Sequence, residues 1–144
     1  MKICEVYERR GRMLVQASSQ TDQGVWILQG DVHALPSDCT DEELGSVVLA
    51  ALAQSSRVPH PTSWGGLTAA LLAAAGVKSW KTFAKTAKNV SVELDQSGTI
   101  KPSRNLGPVD GFEPLPGQEL AVPSDASAAT WGRAVRGALE ASTV

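Results

Sequence analysis

Ala34-Leu35-Pro36-Ser37-Asp38-Cys39-Thr40 returns 87 positions later as Ala121-Val122-Pro123-Ser124-Asp125-Ala126-Ser127. The match continues at the same offset: Gly45 with Gly132, Val48 with Val135, Ala51 with Ala138, Leu52 with Leu139 and Ser55 with Ser142. Each copy reads as a turn that enters a helix, with a hydroxyl residue placed to cap it. A glycine inside a helix costs about 1 kcal/mol against alanine, so a glycine at the same place in both copies implies close packing there. In the first copy Thr40-Asp41-Glu42-Glu43 is a capping box, in which Thr40 and Glu43 satisfy each other's free amides. Leu44, Val47, Val48, Ala51 and Leu52 then form a core-facing stripe. Arg57-Val58-Pro59-His60-Pro61 ends the helix, since neither proline continues it.

Strands precede each copy. Lys2 to Glu8 alternates polar and apolar residues, the period of a half-buried strand. Arg9-Arg10-Gly11-Arg12 reads as a turn, with Gly11 free to take positive φ. Met13 to Ser18 and Val25 to Gln29 complete a meander. Before the second copy, Val90 to Leu94 and Thr99 to Lys101 flank the hairpin turn Asp95-Gln96-Ser97-Gly98. Gly107 to Gly117, rich in glycine and proline, reads as a loop with a short strand around Phe112. Between the copies, Leu67 to Ala75 is apolar nearly all round and predicts a buried helix stopped by Gly76. A second inserted helix, capped by Ser79, is expected to run to about Ala87, with Trp80, Phe83, Ala84 and Ala87 opposite a stripe of Lys78, Lys81, Lys85 and Lys88. The expected fold is α+β: an antiparallel sheet with helices, built as two strand-strand-helix units with two inserted helices.

The 144 residues fit one domain, 1–144, and a chain of this length buries a core without covalent staples. Apolar residues make up 42% and charged residues 19%, a globular rather than a disordered balance. Cys4 and Cys39 are too few for a disulfide framework and read as reduced, buried thiols. The N-terminus has no signal-like apolar run, and Leu67 to Val77 is too short to span a bilayer, so a cytoplasmic location is expected. The net charge of −2 conceals segregation. Asp22, Asp31, Asp38, Asp41, Glu42 and Glu43 lie between Arg12 and Arg57 with no basic residue among them. From Lys78 to Arg104 six basic residues face only Glu93 and Asp95. Such bipolarity bears on the choice of partner.

No catalytic signature is present. His33 and His60 with the two cysteines match no zinc spacing. The chain has no nucleophile elbow, and neither Gly65-Gly66 nor Gly107 sits in a phosphate-cradling pattern. No cofactor or metal is expected. Asp41, Glu42 and Glu43 are more acids than a cap requires; they suit the positive end of the helix dipole, or they form an acidic contact patch. The lysine stripe reads as a solvated helix face in an acidic chain or, alternatively, as a track for a nucleic-acid backbone. Of four tryptophans, Trp26 and Trp131 read as core, and Trp64 in its Pro-Thr-Ser-Trp-Gly-Gly loop is the candidate exposed anchor.

Leu35-Pro36-Ser37-Asp38-Cys39-Thr40-Asp41-Glu42-Glu43-Leu44-Gly45, together with Asn89-Val90-Ser91-Val92-Glu93, Gly111-Phe112-Glu113-Pro114-Leu115-Pro116 and Val122-Pro123-Ser124-Asp125-Ala126, resembles the immunity proteins of bacterial contact-dependent growth inhibition systems. The resemblance runs in the same order over nearly the whole chain. It implies a cytoplasmic, non-enzymatic protein whose partner is the C-terminal toxin domain of a cognate effector, in many cases a nuclease. It transfers no catalytic residue and does not locate the interface. A nuclease cleft is basic, and acids without nearby cations would complement it. The expected contact residues are therefore Asp31, Asp41, Glu42 and Glu43 with Asp22, and Trp64 as the exposed anchor.

Overall fold

Three strands open the chain in the computed structural model, which describes residues 1–144: β1 (Lys2–Arg9), β2 (Arg12–Thr21) and β3 (Trp26–Pro36). The expected turn joins β1 to β2, with Arg10 at φ 50° and Gly11 at φ 76°. Helix α1 (Asp41–Gln54) follows, then β4 (Arg57–Val58), α2 (Ala69–Ala75), α3 (Trp80–Ala84), β5 (Lys88–Leu94), β6 (Gly98–Asn105), β7 (Phe112–Pro114), β8 (Leu120–Val122) and α4 (Ala128–Ala141). The fold is α+β, with one open sheet of eight strands in the order β3-β2-β1-β5-β6-β7. Neighbours along this order are antiparallel, β8 also pairs with β6, and β4 joins β2 in parallel.

Helices α1 and α4 are both 14 residues long and start and stop 87 positions apart. The capping box at Thr40 and Glu43 forms as expected, and Ser127 caps α4 through the Thr130 amide. Both helices lie on one face of the sheet. Between them and the strands sits the larger core, with Cys4, Val6, Val15, Leu44, Leu52, Val92, Ile100, Trp131 and Leu139 among its members. Both cysteines are free and buried. The matched serines fasten the helix ends: Ser55 Oγ accepts from the Ile3 amide and donates to the Ser18 carbonyl, while Ser142 Oγ accepts from the Ser103 amide beside the Asn89 carbonyl.

The structure corrects several expectations. The meander of three strands forms before α1, one more than the strand-strand-helix description counts, and β1 takes the centre of the sheet by pairing with both β2 and β5. β1 is not half-buried by strict alternation: Cys4 and Val6 pack under the helices, and Tyr7 is buried on the opposite face. Helix α1 stops at Ser55, before the prolines, because Arg57 and Val58 leave to pair with Gln20 and Thr21. Helix α2 is not a buried helix. It rests on β2 and β3 by one side, so only Leu71 is fully enclosed, and alanines elsewhere lose little by exposure. Gly76 caps it in the left-handed region, at φ 72°. Helix α3 has five residues and ends before Ala87. Together α2 and α3 cover one corner of the second sheet face, where Tyr7, Leu14, Leu71, Phe83 and Ala87 form a smaller core. The rest of that face is open.

Candidate functional site

The acids read from the sequence fall in three places. Asp41 is ion-paired within the molecule: Arg136 Nε donates to its carboxylate at 2.9 Å, and Arg133 lies at 3.8 Å. The same Arg136 guanidinium also holds the Ser37 and Cys39 carbonyls, so it pins the turn before α1 to α4. Glu43 serves the capping box. Glu42 makes neither an ion pair nor a hydrogen bond, and with Glu43, Leu35, Ser46 and Val47 it borders a shallow depression of about 540 Å3. Asp31 lies on the same flank, on edge strand β3, where a bulge around Gly30 (φ 97°) turns the chain outward. Gln54 clasps it at both ends, accepting from the Asp31 amide at 3.0 Å and donating to the carboxylate at 2.9 Å.

Asp22 and Trp64 sit elsewhere. Asp22 follows β2, near the C-terminal end of α1, where its amide donates to the Val58 carbonyl. Glu42 stands at the other end of that helix, about 20 Å along its length. The Asp22 carboxylate accepts from the His60 amide, and the His60 ring meets Trp64 edge-on at 5.3 Å. Trp64 is 55% exposed, as expected, and Trp131 is wholly buried. Trp26, expected in the core, is only partly covered.

The lysine stripe does not form. Lys78, Lys81 and Lys85 are exposed, but with α3 ended the chain enters β5 at Lys88, whose ammonium donates to the Leu139 carbonyl at the end of α4. Arg9 and Arg12, read from the sequence only as turn residues, fasten this corner to the sheet through Thr86 Oγ1 and the Ala74 carbonyl.

One functional candidate escaped the sequence reading. On the open sheet face a groove of about 290 Å3 is bordered by Glu5, Tyr7, Trp26, Leu28, Asn89 and Phe112, with Ser18. Glu5 accepts from Asn89 Nδ2 at 3.0 Å and Ser91 Oγ at 3.1 Å, and no cation pairs with it. Burial pushes its carboxyl up to about 7, the two hydrogen bonds pull it back, and Glu93 adds a smaller upward push. The signal was present in β1, since Glu5 shares its strand face with Ile3 and Tyr7, an acid between two apolar residues at period 2.

No three His, Cys, Asp or Glu side chains converge as a metal site would require, and no helix is long and apolar enough to cross a membrane. In the groove the Ser91 hydroxyl is turned to the Glu5 carboxylate as a donor, and Tyr7, Trp26 and Phe112 beside it offer a concave binding surface.

Residues 28–142 match the family profile of the CDI immunity protein, CdiI. The chain belongs to that family. The match spans the bulged edge strand, both long helices and the loop at Gly111, and leaves out β1 and β2 with Glu5 and Asp22. The fold is similar to those of solved structures, among them the following two. One is a protein of unknown function from Neisseria meningitidis, at 19% identity and a TM-score of 0.80, covering 98% of this chain and 94% of that one. The other is a chain of the CdiA-CT/CdiI toxin and immunity complex from Yersinia pseudotuberculosis, at 20% identity and a TM-score of 0.77, covering 98% and 97%. No curated protein sequence matches this immunity protein significantly.

Proposed function

We propose that this immunity protein works in the cytoplasm by binding and neutralising the C-terminal toxin domain of a cognate contact-dependent growth inhibition effector, and that this toxin is a nuclease. Family membership over residues 28–142 carries the reading, and the similar Yersinia pseudotuberculosis chain comes from a toxin and immunity complex. Nuclease specificity is supported by the acidic flank. Glu42 and Asp31 stand on one side of the molecule, on a stretch from Met13 to Ser56 with no Lys or Arg, and present charge that a phosphate-binding cleft would accept. Leu35 and Val47 supply apolar contact between them. Asp41 acts behind this surface by holding α1 to α4, and Trp64 with Asp22 offers a separate contact near the C-terminal end of α1.

The test is co-expression with the C-terminal domain of the large effector encoded beside this chain. Cell survival and a one-to-one complex are expected. Glu42→Gln combined with Asp31→Asn should weaken that complex roughly tenfold or more and steepen no unfolding curve. Dead cells without a complex would refute immunity, and polyanion binding by Lys78, Lys81 and Lys85 would become the reading to test.

A further inference from the structure

We infer that the groove over Glu5 receives one cationic side chain, an arginine or a lysine, from the bound toxin domain; this rests on the immunity function proposed above. Three independent features point to it.

Hydrogen-bond donors are short in the cross-strand row that runs through Glu5 beneath the groove. Glu5 stands directly opposite Gln16 on β2 and Ser91 on β5. Gln16 is 2% exposed; its amide nitrogen donates to the Gly30 carbonyl, and its Oε1 has no donor at all. Asn89 and Ser91 supply donors to the Glu5 carboxylate, yet the row still holds more acceptor sites than donors. A guanidinium brings five N–H groups in a planar fork and an ammonium brings three.

Charge is also unbalanced. The charged or titratable groups around Glu5 are Tyr7 on its own strand, Cys4 on the reverse side of that strand, Glu93 on β5 and Lys101 on β6. Lys101 is held by Glu93 at 2.5 Å and stands two strands from Glu5, about 10 Å at ordinary strand spacing. β2 and β3 face Glu5 with uncharged Gln16, Ser18, Trp26 and Leu28, and Glu113 beside Phe112 is paired with Arg104. A partly buried carboxylate without a cation lowers stability, and perturbed groups of this kind gather at functional sites.

The walls are suited to a cation. Tyr7 and Phe112 meet edge-on at 5.8 Å, and Trp26 borders the other side. Aromatic faces attract a cation most strongly where water is thinned, and here a carboxylate lies beneath them. Leu28 at the rim lies on the same edge strand, β3, as Asp31, which Gln54 holds on the helix side.

The experiment measures affinity of wild type and Glu5→Gln for the toxin domain at pH 6 and pH 8, with an Arg→Ala and Lys→Ala scan of the toxin surface. Glu5→Gln should weaken binding roughly tenfold or more at pH 8 and less at pH 6, because the wild-type carboxylate must ionise to take the cation. One toxin cation should be coupled to Glu5, its removal costing little once Glu5 is Gln. Unfolding of Glu5→Gln in urea, measured alongside, establishes that the variant is folded. A tight wild-type complex indifferent to Glu5→Gln at both pH values would overturn this docking alone. No wild-type complex would overturn the proposed function and this docking with it.

Discussion

Gly45 of α1 and Gly132 of α4 stand at the crossing of the two long helices, each against the first turn of the other. A Cβ on Gly45 would run into the Ala128 carbonyl, and one on Gly132 into the Asp41 carbonyl. The paired glycines of the sequence thus have their reason in backbone approach. Alanine at either site should help the helix by about 1 kcal/mol, yet force the helices apart at a cost of about 3 kcal/mol or more, a net loss of at least about 2 kcal/mol. Gly137, also in α4, has nothing within 4 Å of a built Cβ, and Gly137→Ala should stabilise by about 0.5–1 kcal/mol. Urea midpoints of the three variants check both signs.

Arg136 joins Asp41 to two carbonyls of the turn before α1. Arg136→Ala strands all three acceptors and should cost about 2–3 kcal/mol, whereas Asp41→Asn, which keeps an acceptor oxygen, should cost about 1 kcal/mol. Glu42→Gln should stay within about 0.5 kcal/mol of wild type. Thermal unfolding separates them. An Asp41→Asn variant as tolerant as Glu42→Gln would return Asp41 to the contact surface.

What was legible in the sequence was local. The capping box at Thr40 and Glu43, the hairpin turn at Asp95 and the short strand at Phe112 are each decided within a few residues. What was not legible depends on distant pairings. Asp41 looks like a spare acid until Arg136, 95 residues away, is brought to it. Glu5 looks like the polar side of a strand until β5 arrives with Asn89 and Ser91 and encloses it. The lysine stripe failed for a local reason: a helical wheel assumes the helix continues, and α3 ends at Ala84.

Lys88 provides a check on that correction. Its ammonium closes the carbonyl end of α4 through Leu139, where a cation also meets the negative end of the helix dipole. Lys88→Met should cost about 1 kcal/mol, while Lys78→Met, Lys81→Met and Lys85→Met should each stay within about 0.5 kcal/mol. If a continuous stripe existed instead, all four would behave alike in urea unfolding.

Glu5 makes stability depend on pH in a direction opposite to that of most carboxylates. Its carboxyl rises from 4.5 to about 7 on folding, because burial disfavours the charged form. At Glu5 the folded state therefore binds more protons than the unfolded chain between these values, and this group's contribution to stability falls as pH rises through that window. Below about 4.5 the contribution is fully present, and above about 7 it is gone. Since Glu5 keeps some contact with water at the groove, the change should be on the order of 2 kcal/mol. Glu5→Gln removes the titrating proton but keeps the shape and one acceptor, so it should flatten this slope and be the more stable protein at pH 8. Urea unfolding of both proteins at pH 5, 6, 7 and 8 measures the difference directly. Parallel stability curves would mean that Glu5 is solvated enough to ionise freely, and a toxin cation would then have no desolvated partner to meet there.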